Sequence, residues 1–355
     1  RLETAMCMIL FTPLADAPYE QWFKLDNVTF DAWVDNYQPR TDNYLGNGDG
    51  FRHGFLAVPK KGAVGIVDSS PTPSNYSFEF NNIHFKSPAY SYNLIPAIHA
   101  KNIRFSNLTG DYLALYLLHI CKKLVGNNMQ TVYRDDLREA DRSIVTNTIH
   151  AEAEFGGKAN ARDLIDVSNI SSIKKTTGEA YSAFVFMDVG INNVDTINFE
   201  NMEGMVGIYG DTNVNTVNYI NCTKNNSLIF AGNARVNKEV NIENWKYLAN
   251  RPSGAFGSAP FPFMSPYFKK VVIKNSEIQY QLSTGSISTK RNIDELVLEN
   301  LQLSDSFIVD GNITIKKITA SNIRLTDNFK QFIKCVFETA DLSNITYSNT
   351  GVIYS

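Results

Sequence analysis

The sequence predicts an all-β fold in which each strand lies parallel on the one before it, a parallel β-helix with loop insertions. Two observations predict it. The phrase apolar-x-apolar-x-Asn recurs along the whole chain, and most copies are roughly 20 to 25 residues apart, a spacing typical of solenoid repeats. The Asn residues of these phrases are Asn27, Asn82, Asn107, Asn169, Asn201, Asn221, Asn244, Asn275, Asn300, Asn322 and Asn344.

The apolar residues within each phrase predict a strand. In Ile103-Arg-Phe105-Ser-Asn107 they alternate with polar residues, and alternation with a period of 2 is the strand pattern. β-Branched and aromatic residues also suit a pleated, half-buried surface. Because successive phrases are too close to enclose a crossover helix, we expect the chain to coil directly from one strand to the next.

The Asn that follows each strand predicts a turn. Asn tolerates a left-handed backbone better than other residues with a side chain, and its amide can bond neighbouring backbone. In a stack of coils such turns align, so we expect the Asn side chains to bond one another along a ladder. This interpretation makes the repeated Asn structural.

Because the repeat runs nearly throughout the chain, it favours one domain spanning residues 1–355, and the composition excludes several classes of function. The net charge of −3, without a long basic run, argues against nucleic-acid binding. The longest apolar stretch, Tyr112–Cys121, is too short to cross a bilayer. The four cysteines lie far apart in the sequence and predict neither a metal site nor a disulfide framework. We expect no cofactor and no metal.

Three interruptions of the repeat, at about 35–65, 112–163 and 247–267, predict loop insertions. Function in a solenoid commonly lies in such loops. The third is rich in Pro, Gly and aromatic residues, so we expect it to pack on the flank of the coils or on a partner subunit.

The interval 112–163 has the highest density of ionisable groups. His150, Glu152 and Glu154 alternate, so on a strand they would share one face. Two neighbouring carboxylates can serve as acid and base on a sugar. The candidate catalytic residues of the chain are Glu152, Glu154, Asp111, Asp135, Asp136 and Asp163, and the candidate substrate-binding residues of this interval are His150, Arg134, Arg138 and Arg162.

The interval 35–65 and its approach predict a second part of a carbohydrate site. Trp33 and Tyr37 offer flat apolar faces, and Arg52 and His53 offer polar groups. Sugar-binding sites combine these two kinds of side chain.

The Asn-punctuated coils together with Thr109-Gly-Asp111-Tyr-Leu-Ala-Leu115 resemble the pectate-lyase-like, right-handed, single-stranded parallel β-helix of bacteriophage tailspikes. The resemblance implies a homotrimer on the phage tail, attached through an N-terminal region that precedes Arg1. It also implies that the ligand is a bacterial surface polysaccharide, either capsule or O-antigen. The protein would then act outside the cell, on the surface of the bacterial host. Only Gly110 and Asp111 are carried over from that family.

We therefore expect a depolymerase that hydrolyses the polysaccharide internally with paired carboxylates. A polysaccharide lyase is the alternative within the enzymes, with His150 or Tyr133 as base and Arg134, Arg138, Lys158 or Arg162 neutralising a uronate. An esterase ranks lower because no G-x-S-x-G elbow is present. The alternative from another class is a receptor-binding rod that binds glycan without cleaving it.

Overall fold

The structure of the chain is a computed structural model that describes eighteen stretches of the sequence. Within them the chain is almost entirely strand, and no helix is present among the described residues. No described segment is a helix long and apolar enough to cross a membrane. The described residues are 7–10, 19–31, 54–57, 75–86, 92–95, 101–111, 113–117, 121–133, 147–151, 160–174, 182–186, 191–224, 226–247, 263–279, 283–284, 290–304, 307–326 and 332–347.

The strands form three sheets. A two-stranded sheet pairs β1 (Cys7–Leu10) with β3 (Gly54–Ala57). A six-stranded sheet contains β5 (Tyr92–Ile95), β7 (Leu113–Leu117), β9 (Asn147–Ala151), β11 (Ser182–Phe186), β13 (Gly204–Ile208) and β15 (Asn226–Phe230). A 14-stranded sheet contains β2 (Gln21–Asp31), β4 (Tyr76–Lys86), β6 (Asn102–Asp111), β8 (Lys123–Tyr133), β10 (Asn160–Lys174), β12 (Ile191–Glu200), β14 (Asp211–Ile220), β16 (Arg235–Glu243), β17 (Lys246–Tyr247), β18 (Tyr267–Ile278), β19 (Ser283–Thr284), β20 (Arg291–Leu303), β21 (Ile308–Leu325) and β22 (Ile333–Tyr347).

The chain alternates between the two larger sheets. From β4 to β16 each even-numbered strand joins the 14-stranded sheet and each odd-numbered strand joins the six-stranded one. Within each sheet, strands that are two apart in sequence pair in parallel, as β10 does with both β8 and β12. The all-β class and the long parallel sheet are therefore as the sequence predicts, and this path is consistent with a parallel β-helix.

A residue with left-handed backbone lies within each long strand of the larger sheet or, at β12, β14 and β16, directly after the strand ends. All twelve described non-glycine residues with positive φ are Asn, with φ between 50° and 60°. Eleven of them are the Asn residues of the repeated phrase, which confirms the turn prediction. The twelfth, Asn128, belongs to a phrase that the sequence pattern did not mark.

The side chains of these residues, the ladder Asn residues, bond one another from coil to coil. Asn300 donates from Nδ2 to Asn275 Oδ1 at 3.0 Å, and Asn322 donates to Asn300 at 3.0 Å. The ladder is therefore present as predicted, but it shifts at four coils to the residue that precedes the ladder Asn. The shifted pairs are Asn82 to Asp26, Asn169 to Asn127, Asn221 to Glu200 and Asn275 to Glu243.

The core lies between the sheets and is built from repeated positions. The two apolar residues of each phrase and the residue after the ladder Asn face inward, as Ile197, Phe199 and Met202 do at 1% exposure or less. The same positions of neighbouring coils stack into columns, because residues in register across parallel strands share one face. The apolar alternation of the sequence is thus the core pattern of every coil.

Gly126 explains why the phrase around Asn128 is hard to detect. It occupies the second apolar position, directly across from Phe105 in the previous coil. A Cβ atom at Gly126 would lie 2.0 Å from the Phe105 ring. The Phe105 ring fills the space that a side chain at position 126 would occupy. The phrase therefore has Gly at a position where the pattern requires an apolar side chain.

The predicted insertion at 112–163 contains regular strands. β7, β8 and β9 lie within it and pair with the strands of neighbouring coils. The other residues of this interval, 112, 118–120, 134–146 and 152–159, are outside the described part.

The described residues that bound the third predicted insertion also touch the sheets. The backbone N–H of Met264 donates to the carbonyl of Phe230 at 2.8 Å, and Met264 packs on a small apolar cluster outside the six-stranded sheet. That cluster contains Met205, Tyr209, Ile229 and Ala231.

Candidate functional site

The outer face of the large sheet carries a line of polar side chains, nine of them charged, that runs across the strands. Each member lies six residues before a ladder Asn, where a strand enters the sheet. We call this line the ionic stripe. Its members, from β6 to β22, are Lys101, Lys122, Asp163, Asp195, Asn215, Lys238, Lys269, Asp294, Lys316 and Glu338.

Two acidic residues are neighbours on this stripe. Arg162 pairs with Val194 and Leu164 pairs with Thr196, so Asp163 lies directly opposite Asp195. Both acidic side chains are exposed, while the flanking Arg162 and Val194 face inward. Opposed residues on neighbouring strands are about 4.8 Å apart, so the two carboxyl groups can lie close to the separation of about 5 Å that retaining glycosidases use.

Asp195 is held in its ionised form. Asn215 donates from Nδ2 to Asp195 Oδ1 at 2.8 Å, and this bond is the main reason why the pKa of Asp195 lies below its usual value. The Lys238 ammonium at 3.9 Å and a bond from Thr196 lower the pKa of Asp195 further. By contrast, Asp163 has no side-chain hydrogen bond or ion pair within the described residues.

A third aspartate of the stripe is fully engaged by neighbours. Asp294 lies 2.7 Å from Lys316 and 3.0 Å from Lys269, and it accepts a bond from the Tyr267 hydroxyl at 3.1 Å. Chiefly through Lys316, these contacts lower the pKa of Asp294 to about 2. These partners engage both carboxylate oxygens, so we assign this group a structural role that ties β18, β20 and β21 together.

Two open grooves flank the ladder. The first, about 450 Å³, lies on the same outer face as the stripe. It is lined by Glu79, Asn81, Arg104, Phe105, Val125, Gly126, Asn127, Asp166 and Ser168. The second, about 400 Å³, lies beyond the bend and includes Trp245, Lys246, Glu277 and Gln302. Both grooves are shallow and open, and charged, amide and apolar side chains line them together.

The first groove and its edge contain several polar contacts. Glu79 pairs with Lys24 at 3.2 Å and accepts a bond from Asn81 at 2.9 Å. These bonds lower the pKa of Glu79, and the bond from Asn81 has the largest effect. This carboxyl is therefore a poor proton donor at neutral pH. The Arg104 guanidinium lies 4.7 Å from the centre of the Trp22 ring, a cation–π distance.

No protein-family model matches the chain, and neither the curated proteins nor the solved structures include a significant match. The site is therefore interpreted from its own geometry.

The predicted site residues fall in different places. Asp163 is exposed on β10, and Asp111 ends β6, where its backbone pairs with Val132. His150 lies on β9 between Tyr116 and Val185 of the neighbouring strands. The remaining predicted catalytic residues, Glu152, Glu154, Asp135 and Asp136, and the predicted binding residues Arg134, Arg138, Trp33, Tyr37, Arg52 and His53 lie outside the described residues.

Arg162 is a predicted substrate-binding residue, but its side chain is buried. Its side chain is only 3% exposed, and Nη1 donates to the Cys121 carbonyl at 3.2 Å. Burial also lowers the pKa of the guanidinium. The residue faces inward because it alternates with Asp163 along β10. Its guanidinium therefore bonds the backbone of the previous coil and is not available to a ligand at the surface.

Asp195 and the Lys residues of the stripe were not predicted as site residues. A signal for them was present in the sequence, since both Asp163 and Asp195 precede an Asn of the repeated phrase by six residues. Alignment of the phrases on their Asn residues would have placed the two acids side by side.

Proposed function

We propose that this protein binds and cleaves a bacterial surface polysaccharide, and that its coils form a right-handed, single-stranded parallel β-helix. The observation that carries the proposal is the opposition of Asp163 and Asp195 on the exposed face of neighbouring strands. Endo-acting hydrolysis follows from this pair because two adjacent carboxyl groups are the minimum machinery for cleaving a glycosidic bond.

The two acids take different roles in this reaction. Asp195 is kept ionised by Asn215 and Lys238, so it is the nucleophile that attacks the anomeric carbon. Asp163 is the general acid that gives its proton to the departing glycosidic oxygen. In the second step Asp163 takes a proton from water, and the hydroxide displaces Asp195, which regenerates the enzyme with retention of anomeric configuration.

The outer face suits a polymer that runs along the stack. Each coil advances about 4.8 Å, a distance comparable to the length of one pyranose ring, so successive sugars meet successive coils. The grooves and the stripe offer charged and amide groups at each step. Attachment to a phage tail as a homotrimer, implied by the tailspike resemblance, completes the proposal.

A receptor-binding rod without catalysis is the second candidate. It is favoured by the first groove, where Asn81 and Lys24 hold the pKa of Glu79 below its usual value. Binding of a chain there needs no proton transfer.

The test is to incubate the protein with capsular and O-antigen polysaccharides from a panel of bacteria and to follow chain length by size-exclusion chromatography. We expect shortened chains without the ultraviolet absorbance of unsaturated uronates, and products that retain the anomeric configuration by NMR. Shortened chains with that absorbance would indicate a lyase. Binding without shortening would favour the receptor-binding rod.

Three variants locate the chemistry. Asp163→Asn and Asp195→Asn should each lower kcat by about 10²-fold or more, because each removes one of the two groups that act on the bond. Asp341→Asn, an exposed acid on the edge strand β22, serves as the control and should keep full activity. Circular dichroism checks that all three are folded. Full activity of both Asp163→Asn and Asp195→Asn would exclude this pair as the catalytic site.

A further inference from the structure

The outer face around the acid pair divides into two sections of different charge. On one side, β6 and β8 carry Lys101, Arg104, Lys122 and Lys123, which we call the basic section. On the other side, β12, β14 and β16 carry neutral amides in neighbouring positions, which we call the amide section. Its members are Asn193, Asn198, Asn213, Asn215, Asn218 and Asn241.

The basic section retains free positive charge. Lys101 lies 3.7 Å from Glu20, and Arg104 covers the Trp22 ring. Lys122 and Lys123 form no ion pair with any residue in the described ranges. Lys122 immediately precedes Asp163 along the stripe, and the backbone N–H of Asp163 bonds the Lys122 carbonyl at 2.8 Å. A cation is thus available one coil from the proposed general acid.

The side chains of the amide section are ordered by hydrogen bonds to one another. Asn218 donates to Asn198 at 2.8 Å, and Asn241 donates to Asn218 at 3.0 Å. One position along, Asn213 donates to Asn193 at 3.2 Å. Each bond uses one amide N–H, so the second N–H of Asn213 and of Asn218 is left to bond a ligand, whereas that of Asn241 donates to Glu239 at 3.4 Å. Sugar hydroxyls are suitable partners for such groups.

We propose that the substrate is a heteropolysaccharide with both acidic and neutral sugars, bound so that an acidic sugar lies over the basic section and a neutral sugar over the amide section. The scissile bond then lies over Asp163 and Asp195. This inference rests on the proposed function, since the acid pair defines where the chain is cut. It adds the charge of the substrate and its direction along the coils.

The experiment uses a polysaccharide with carboxylate groups that the wild-type protein cleaves, and the same polymer after chemical reduction of its carboxylates to alcohols. Lys122→Gln and the double variant Lys101→Gln/Lys122→Gln are compared with Lys317→Gln. Lys317 is an exposed lysine on the same sheet, far along the stack, and forms no ion pair with the described residues.

We expect Lys122→Gln to raise KM for the native polymer about three- to tenfold, the contribution of one exposed charge-assisted contact, with kcat little changed. The same variant should leave KM for the reduced polymer unchanged, and added salt should raise KM of the wild type more than that of the double variant. Lys317→Gln should match the wild type throughout.

An equal effect on native and reduced polymers, or no effect on either, would overturn the inference and leave the proposed hydrolysis intact. Cleavage by the wild type of neutral polymers only would do the same. If the wild type cleaves no polymer, the proposed hydrolysis fails first, and affinity electrophoresis then decides the inference. Retention of the acidic polymer that is lost with the double variant would support it, and equal migration in both gels would overturn it.

Discussion

At the scale of single residues, two kinds of position control this protein. Ladder Asn residues set the backbone bends, and residues such as Gly126 adapt one coil to its neighbour. The Phe105 ring occupies the space where a side chain at Gly126 would lie, so a single ring decides which residue is tolerated 21 positions later. Dense packing leaves no room for even one methyl group there.

Gly126→Ala should therefore lower the free energy of unfolding by about 1–3 kcal/mol, because the new Cβ must displace the Phe105 ring. Gly311→Ala is the matched control, since a Cβ there meets nothing within 4 Å, and it should change stability by less than about 0.5 kcal/mol. Chemical denaturation monitored by circular dichroism measures both. Equal stability of the two variants would contradict the packing argument, and Phe105→Leu should partly rescue Gly126→Ala.

At the scale of elements, the bent strand is the repeating unit. Most long strands consist of a segment before the ladder Asn and a segment after it, whereas β12, β14 and β16 end just before it. The residues on both sides of the ladder Asn contribute inward-facing side chains, as Phe199 and Met202 do around Asn201. The left-handed residue changes the direction of the strand without ending the hydrogen bonds to its neighbours. The ladder then joins these bends from coil to coil.

Variants of Asn300 separate the two contributions of a ladder residue to stability, its side-chain hydrogen bonds and its left-handed backbone. Its φ is 54°, and its side chain bonds both Asn275 and Asn322. Asn300→Gly removes the side-chain bonds but keeps a residue that accepts the left-handed backbone, whereas Asn300→Ala removes the bonds and strains the backbone. We expect Asn300→Ala to be less stable than Asn300→Gly by about 1 kcal/mol.

Urea denaturation of both variants and of the wild type measures this difference. If Asn300→Gly is as unstable as Asn300→Ala, the ladder bonds matter more than the backbone conformation.

At the scale of the whole molecule, stability depends on the number of neighbours that each coil has. Central strands pair on both sides, whereas β22 pairs with β21 alone among the described strands. The core positions of β22 are correspondingly open, with Phe337 49% and Leu342 51% exposed. In a stack whose coils contact only their neighbours, local opening should begin where a neighbour is missing.

Native-state hydrogen exchange should therefore show the slowest amide exchange in β12, β14 and β16 and much faster exchange in β22. Central amides are bonded between buried strands, while those of β22 lie at an exposed edge. Mass spectrometry of peptides from each strand measures the gradient. Protection of β22 equal to that of β14 would show that this edge is covered in solution by residues outside the described ranges or by another molecule.

The sequence by itself determined the repeating unit of this protein. Alternating apolar residues followed by Asn identify both the strand and its bend, because side-chain direction and left-handed tolerance are local properties of the chain. Ile197, Phe199 and Asn201 could be assigned to core, core and turn without any knowledge of their neighbours. The same holds for every coil in which the phrase is complete.

Only the tertiary structure decided which coils touch and which side chains meet. The sequence pattern did not identify Asn128, because Phe105 of another coil fills the space at Gly126 and an apolar residue is therefore missing from the phrase. Arg162 turned inward and Asp163 outward because of the phase of β10, and Asp195 became the neighbour of Asp163 through the register of two strands 32 residues apart. Register is a property of two strands together, so the acid pair proposed as the catalytic site is set by how the coils stack.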